Sequence, residues 1–305
     1  MIRLLALTML LWVASGCRAQ ESPPPLESQP SVDVQQLLTH RQVAAPPAVT
    51  GRQPLLWVSL AAHLGARADA APLTLKAASG SLSLEDRSGR RWSAASVQIS
   101  WRSVPLEKPL ALARRVAGPF ASFESAERVA LRWRALGVAA EVAHPADWEV
   151  WAPAGAPAPG DLPVRDWSTR LESSVEPVLQ LPEGGTTLKG PLQIDAPGGL
   201  RWGKGVFQGP FRLQRDAYGS WTLVEQVPLE RYLEGVVPHE IGAGSPQAAL
   251  QAQTVLARTW ALANSHRFRI DGYHLCSDTQ CQVYSDPRQA GSAVRQAITA
   301  TQGRL

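Results

Sequence analysis

Short alternating segments separated by glycine and proline fill residues 54–227, and this pattern excludes an all-helical fold. The chain has 24 glycines and 25 prolines among 305 residues, and both residue types interrupt regular elements. Runs such as LLWVSLAAHL, PLTLKAA and SVQISWRSV are typical of strands. In GSLSLEDRSGRRW, the stretch from Asp86 to Gly89 supplies the turn of a hairpin. The sequence therefore predicts a strand-rich α+β fold.

Caps and apolar spacing predict one helix in the middle of the chain. Ser122 or Ser125 caps its start, and Gly137 ends it. Residues spaced by three and four form its predicted apolar face. They are Ala126, Val129, Ala130, Trp133 and Leu136.

Two further helices are predicted near the C-terminus. Pro228 opens the first at a position where its missing N–H costs nothing, and Pro238 ends it. Ser245 is the predicted N-cap of the second, with Pro246 in its first turn. A stripe of small residues predicts that this second helix is the central, closely packed helix of its domain. The first helix has the apolar residues Leu229, Leu233, Val236 and Val237, and the stripe on the second has Ala249, Ala252, Leu256, Thr259 and Ala263.

Composition divides the chain into segments with different expected roles, and it predicts two folded domains. A stretch rich in Pro, Ser and Gln near the N-terminus predicts a disordered tether. APAGAPAPGDLP marks the best boundary between the folded domains. The predicted segments are a signal peptide at 1–16, the tether at 17–50, an N-terminal α+β region at 51–152, a linker at 153–185 and a C-terminal domain at 186–305.

The N-terminal segment predicts export. Arg3 precedes an apolar run from Leu4 to Val13, shorter than the roughly 20 residues of a membrane-spanning helix. The ASGC that follows resembles the lipobox of bacterial lipoproteins, which makes Cys17 the expected lipidation site. An ordinary signal peptide cut near Ala19 is the alternative. Lipid chains would attach the protein to a membrane surface, and the extracytoplasmic face of a bacterial cell envelope is the expected location.

The charge distribution argues against a nucleic-acid partner. Charged residues make up 18% of the chain, and the formal net charge is +4. Nucleic-acid-binding proteins concentrate Lys and Arg on one face, whereas here these residues are thinly spread. Mild basicity is compatible with the anionic polymers of a cell envelope.

One carboxylate, Glu240, stands out in the C-terminal part. It lies in GVVPHEIGAGSP between two predicted helices, on backbone held by Pro238. Irregular segments fixed by rigid elements are frequent positions of catalytic groups, and a surface carboxylate at a helix–helix turn is the alternative. Glu230 and Glu234, on the preceding helix, are expected to be solvated or paired with Arg231.

The sequence VPLERYLEGVVPHEIGAGSPQAALQAQTVLARTWAL, followed by YHLCSDTQCQVY and AVRQAITATQG, resembles the stage II sporulation protein D / LytB amidase-enhancer (SpoIID/LytB) family. This resemblance covers residues 186–304. It implies a lytic transglycosylase that cleaves stem-peptide-free peptidoglycan strands between N-acetylmuramic acid and N-acetylglucosamine, leaving 1,6-anhydro ends. The family's essential glutamate, the general acid and base, falls on Glu240. The alternative is a non-enzymatic peptidoglycan-binding protein that enhances a cell-wall amidase.

The same resemblance implies further site residues. Arg258 lies in the Ala-Arg-Thr segment, and Gln282 and Tyr284 lie in the Gln-x-Tyr segment. All three are expected to bind the glycan or line its groove, and for Arg258 bracing a helix against a loop is the alternative. Trp260 replaces a common tyrosine and either stacks on sugar or packs. The resembled family's domain usually continues past the glycine that ends AVRQAITATQG with further strands that help form the groove, so an incomplete cleft is expected if the protein ends at residue 305.

Two cysteines leave a metal site and a disulfide open as alternatives. Cys276 and Cys281 have four residues between them, and an oxidising compartment favours a disulfide. Together with His274 they also provide donor types that bind zinc. Some members of the resembled family bind zinc near the active site through a histidine and two cysteines, which these three residues match. A zinc ion there would organise the site.

Residues 118–152 resemble the SPOR repeat of peptidoglycan-binding proteins. The resemblance rests on a Gly-x-Phe start, an alanine-rich helix and RALG at its end. It implies a module that binds glycan, and a packing unit of similar shape is the alternative.

Overall fold

The computed structural model describes residue 39, residues 43–51 and residues 53–305. The predicted signal peptide, the predicted lipidation site Cys17 and most of the predicted tether lie outside the described residues. In the part of the chain that is described, no helix is long and apolar enough to cross a membrane.

The described residues form fifteen strands. They are β1 (Leu55–Leu64), β2 (Leu73–Ala77), β3 (Leu82–Glu85), β4 (Arg91–Ala94), β5 (Ser96–Phe120), β6 (Glu141–Ala143), β7 (Trp148–Pro153), β8 (Val164–Leu181), β9 (Gly184–Thr187), β10 (Leu192–Asp195), β11 (Leu200–Trp202), β12 (Gly205–Phe207), β13 (Phe211–Arg215), β14 (Trp221–Pro228) and β15 (Leu275–Cys276).

Four α-helices and two short 3-10 helices lie between these strands in the described chain. The α-helices are α1 (Phe123–Ala135), α2 (Leu229–Ile241), α3 (Gln247–Ala263) and α4 (Ser292–Ala300). The 3-10 helices are Arg269–Asp271 and Pro287–Gln289. The predicted strand-rich α+β fold is confirmed.

The strands build two sheets. One sheet has the strand order β15-β1-β14-β13-β10-β3-β4. The other has the order β12-β11-β2-β5-β7-β6, in which β2 and β7 pair with the two ends of the long strand β5 along one of its edges. Strand β8 pairs with the other edge of β5, and β9 pairs with β8. The main core contains apolar residues of both sheets and of helices α2, α3 and α4. A second apolar cluster surrounds α1 and includes Phe268, Tyr273 and Cys276.

The predicted division into two domains is wrong, because both sheets take strands from both proposed domains. Strand β1 pairs antiparallel with β14 from Leu55 opposite Pro228 to Leu64 opposite Trp221. Strand β3 pairs with β10, and β2 pairs with β11. The two strands that pair with β1, β14 and β15, lie more than 150 residues away in the chain, and local composition carries no signal of such a pairing.

The predicted linker at 153–185 is also wrong over most of its length. It contains β8, which pairs along β5 from Ala117 opposite Val164 to Ile99 opposite Leu179. Only the Pro/Ala/Gly-rich stretch between β7 and β8 is a connector. Alternation in the first half of β8, at Trp167, Thr169 and Leu171, was the available signal for a strand.

Helix α1 begins and ends where the sequence predicts. The Ser122 hydroxyl accepts a hydrogen bond from the Ser125 backbone N–H at 3.3 Å, which caps the N-terminus. The Gly137 N–H donates to the Arg134 carbonyl at 2.9 Å and closes the last turn. Leu136 is an exception to the predicted apolar face, because it follows the helix and is 57% exposed.

Helix α2 does not end at Pro238, contrary to prediction, but continues to Ile241. Proline lacks the N–H that would bond to the carbonyl four residues earlier, which normally disfavours a helix interior. Here Val236 and Val237 are fully buried in the core, and the Gly242 N–H donates to the Pro238 carbonyl at 3.1 Å. Glu240 therefore lies in the last helical turn rather than in a loop.

Helix α3 is packed, but through a different face from the predicted one. Ser245 is not its N-cap, since the helix begins after Pro246 and the Ser245 hydroxyl donates to the Ile241 carbonyl at 2.6 Å. Every member of the predicted small-residue stripe is exposed. The buried residues are instead Leu250, Thr254, Ala257, Arg258 and Ala261.

Gly235 allows α2 to approach the chain at residues 284–285, and this contact yields a test of the packing. A Cβ at Gly235 would lie 2.5 Å from the Ser285 carbonyl oxygen and 2.5 Å from the Tyr284 ring. Gly235→Ala is expected to lower the free energy of unfolding by about 1–3 kcal/mol through overpacking. Helix propensity alone would raise it by up to ~1 kcal/mol.

Gly244→Ala is the matched control, because no atom lies within 4 Å of its added Cβ. Urea unfolding should place this control within about 0.5 kcal/mol of the wild type. A stabilised Gly235→Ala variant would contradict the described packing.

Candidate functional site

Glu240 opens onto a groove of about 530 Å³ between the end of α2, one face of α3 and the chain at residues 281–282. Helix α3 contributes Gln253 and Trp260, which are seven residues apart and share one face, and Asn264, the C-cap residue four positions after Trp260, continues that face. The groove thus combines one carboxylate, one indole and several side-chain amides. The sequence analysis did not identify Gln253 and Asn264 as groove residues. Their helical spacing from Trp260 was the signal that could have identified them.

The Glu240 side chain is exposed. Its carboxylate makes no hydrogen bond or ion pair within the described part of the chain, which leaves it available to a ligand. Burial, and after it the charge of Glu240, raises the pKa of the neighbouring Tyr232 phenol. Tyr232 is therefore a neutral donor, and its hydroxyl lies 3.4 Å from Oε1 of Gln282. This contact orients Gln282, which lines the groove as predicted.

Tyr284 lies in the core and not in the groove, so the prediction for this residue is wrong. It is 4% exposed, and its ring stacks on Tyr232 with 5.0 Å between centroids. Its hydroxyl donates to Oε2 of Glu225 at 2.9 Å. Burial raises the pKa of Glu225 against the opposing hydrogen bonds from Gly209, Tyr284 and Gln208. The alternation of apolar and polar residues along the chain does not predict that Tyr284 and Glu225 both point into the core and bond to each other.

Arg258 does not line the groove; it joins α3 to α2 and to the chain at residue 304, whereas the stated alternative was bracing of a helix against a loop. It is 1% exposed. Its Nε and Nη2 both donate to the Glu230 carboxylate at 2.8 Å, and its Nη1 donates to the Arg304 carbonyl at 3.1 Å. Glu230 is therefore paired with Arg258, and is neither solvated alone nor paired with Arg231, as had been expected. Glu234 pairs with Arg231 at 2.7 Å, as one of the two expectations for it stated.

Cys276 and Cys281 form a disulfide in the structure. Both ring nitrogens of His274 are also engaged. The Trp57 backbone N–H donates to Nδ1 at 2.8 Å, so Nε2 carries the proton and donates to the Pro47 carbonyl at 2.8 Å. Thiolates and a free imidazole nitrogen are what zinc binds. As arranged, these three residues do not fit a zinc ion, and a zinc site in the reduced protein stays a prediction.

The disulfide belongs to the wall of the groove. Cys281 lines the groove beside Gln282. The loop closed by the disulfide carries Gln280, whose Oε1 accepts a hydrogen bond from Nε1 of Trp148 at 3.0 Å. The cysteine pair therefore fixes the chain immediately before Gln282.

The C-terminal part of the chain, which contains the groove, is similar to a known protein family. Residues 217–305 match the family model SpoIID, described as stage II sporulation protein. The predicted resemblance to the SpoIID/LytB family is confirmed over these residues. The SpoIID region (residues 217–305) contains every predicted site residue except Cys17 and supports a function related to the cell wall.

A curated relative is similar over a stretch of comparable length. An uncharacterized protein of Brachyspira hyodysenteriae is 35% identical over 88 residues, which are 27% of this chain and 23% of that protein. The chain thus spans less than a quarter of that relative. No solved structure matches significantly.

The disulfide leads to a prediction for the SpoIID region. A dithiol reductant should lower the free energy of unfolding by about 2 kcal/mol, because reduction releases a closed loop of six residues. Peptide mapping of the unreduced, alkylated protein should recover Cys276 joined to Cys281. A chelator should leave stability unchanged. The disulfide would be contradicted if the purified protein contained one zinc ion per chain and if both cysteines became alkylated once a chelator had removed that zinc.

His274 leads to a prediction on pH. Burial lowers the pKa of His274, although its bond to Pro47 opposes this. The unfolded chain therefore takes up the proton first, as pH falls through about 6.5, and the free energy of unfolding should fall from pH 7.5 to pH 5. His274→Asn keeps an acceptor for the Trp57 N–H but does not titrate. Urea unfolding should show a smaller loss over this range in the variant, and equal losses would contradict the assignment.

Proposed function

We propose that the SpoIID region is a lytic transglycosylase that cleaves stem-peptide-free glycan strands of peptidoglycan, with Glu240 as general acid and base. The observation that carries this proposal is the Glu240 carboxylate, which opens onto the same groove as Trp260 and three side-chain amides. We further propose that the protein is exported and attached to a membrane through lipid at Cys17, which would bring the groove to the cell wall.

The residues of the groove suit an amino-sugar polymer. An indole offers a flat apolar surface for the face of a pyranose ring. The amides of Gln253, Asn264 and Gln282 both donate and accept hydrogen bonds, as hydroxyl and acetamido groups require. Concave sites of this kind use a few polar groups to orient a ligand on a largely apolar surface.

The reaction needs one carboxyl group. Protonated Glu240 donates its proton to the glycosidic oxygen between N-acetylmuramic acid and N-acetylglucosamine, and the bond from that oxygen to C1 breaks. The resulting carboxylate takes the proton of the muramic acid 6-hydroxyl as O6 bonds to C1. The products are a free 4-hydroxyl and a 1,6-anhydro ring, and no water is consumed.

The groove contains the single carboxyl group that this reaction needs. Ordinary glycosidases place two carboxyl groups on opposite sides of the scissile bond. Among the described residues that line the groove, Glu240 is the sole carboxylate. The ring closure supplies the nucleophile from the substrate itself, so a second acid is unnecessary.

The test is digestion of stripped glycan strands with the full chain and with Glu240→Gln. We expect anhydro-muramyl products from the wild type and a rate at least about a hundredfold lower in the variant, the usual weight of general acid–base catalysis. Glu234→Gln is the matched control, since Glu234 lies on the same helix but pairs with Arg231. Its rate should stay within about twofold of the wild type.

Co-sedimentation with the same strands separates this proposal from its alternative. Strand binding by the wild type without any cleavage would contradict the transglycosylase and favour the non-enzymatic protein that enhances an amidase.

A further inference from the structure

Arg267 connects α1 to the groove through two aromatic rings. Its guanidinium carbon lies 4.6 Å from the centroid of the Phe123 ring in α1 and 4.9 Å from the centroid of the Trp260 ring in α3. The residue is 5% exposed. A buried guanidinium this close to two aromatic rings gains from cation–π attraction to each of them.

The edges of the same guanidinium are hydrogen-bonded. Nε donates to Oδ1 of Asn264 at 3.0 Å, and Nη1 lies 3.3 Å from the carbonyl oxygen of Gln280. Nη2 donates to the carboxylate of Glu124, in the first turn of α1. Burial raises the pKa of Glu124, but hydrogen bonds and the charge of Arg267 outweigh it, so the pKa is lowered and this partner is ionised.

Two residues held by Arg267, Trp260 and Asn264, line the groove beside Glu240. A planar guanidinium that donates hydrogen bonds from all three of its nitrogens constrains both the ring it contacts and the direction of the amide it bonds, because its donors and its flat face have a fixed geometry that an ammonium group lacks. Lysine at this position would keep the charge but lose the fork of donors and the flat face.

We infer that Arg267 is a positioning residue: it holds Trp260 and Asn264 in the orientation that receives the ligand, and it makes α1 the support of the groove. The glycan part of this inference rests on the proposed function. In this role the SPOR-like segment at 118–152 acts on the ligand through Arg267 rather than as a separate glycan-binding module.

The test uses the full chain labelled with 5-fluorotryptophan. Trp260→Phe assigns the Trp260 fluorine resonance. Arg267→Lys should shift or broaden that resonance and weaken binding of stripped glycan strands about tenfold. Arg269→Lys is the matched control, because Arg269 also pairs with a glutamate, donating from Nη2 to both oxygens of Glu141 at 2.9 Å, and Glu141 does not line the groove. It should leave both the resonance and the affinity unchanged.

Glu124→Gln is a second variant for the same test, to be used if Arg267→Lys does not fold. The Glu124 side chain is 58% exposed, so this change removes the ionised partner with little burial cost. It should move the Trp260 resonance in the same direction by a smaller amount. An unchanged Trp260 resonance in the folded variants would overturn the inference. Absence of strand binding by the wild type would instead contradict the proposed function, while the resonance would still decide the role of Arg267.

Discussion

The antiparallel pairing of β1 with β14 sets the position of the whole candidate site. Strand β14 ends at Pro228, and α2 begins at the next residue, where the Leu229 N–H donates to the Pro54 carbonyl at 2.8 Å. From that anchored end, α2 runs roughly 17 Å to Glu240, at 1.5 Å per residue. Close packing at Gly235 and the bond between buried Arg258 and partly exposed Glu230 then fix the helix along its length. Shifting the strand pair would therefore move the carboxylate.

The groove itself depends on contacts from distant parts of the chain. Helix α3 provides one wall, and the disulfide-closed loop, whose Gln280 accepts a hydrogen bond from Trp148 of β7, provides another. Helix α1 reaches both walls through Arg267. Arg267 joins these three elements through Trp260, Gln280 and Glu124. The ligand-facing residues thus rest on buried and bonded partners, as a pre-organised site requires.

Local features of the fold were predictable because their causes are local. The cap at Ser122, the end of α1 at Gly137 and the start of α2 after Pro228 follow from hydrogen bonds and dihedral limits within a few residues. The family resemblance, rather than a local rule, implied Glu240 and Gln282 as site residues, and both line the groove. Pro238 was misread because local rules oppose a helix there, whereas the buried Val236 and Val237 sustain it.

Long-range features were not predictable from the same sequence. Whether Tyr284 faces a ligand or Glu225 depends on a strand some 60 residues earlier. The exposed stripe of small residues on α3 has the same spacing as a stripe that packs against another helix, so spacing alone does not tell the two apart. The partner of Arg258 likewise had no local signal, because Glu230 lies on another helix.

Cleavage of stripped glycan strands in ¹⁸O-labelled water tests most directly whether a single carboxylate in this groove acts without a water nucleophile. The account predicts that mass spectrometry finds 1,6-anhydro ends with no ¹⁸O. Reducing ends that carry ¹⁸O would contradict it, since they would require a hydrolase with an activated water and a second catalytic group.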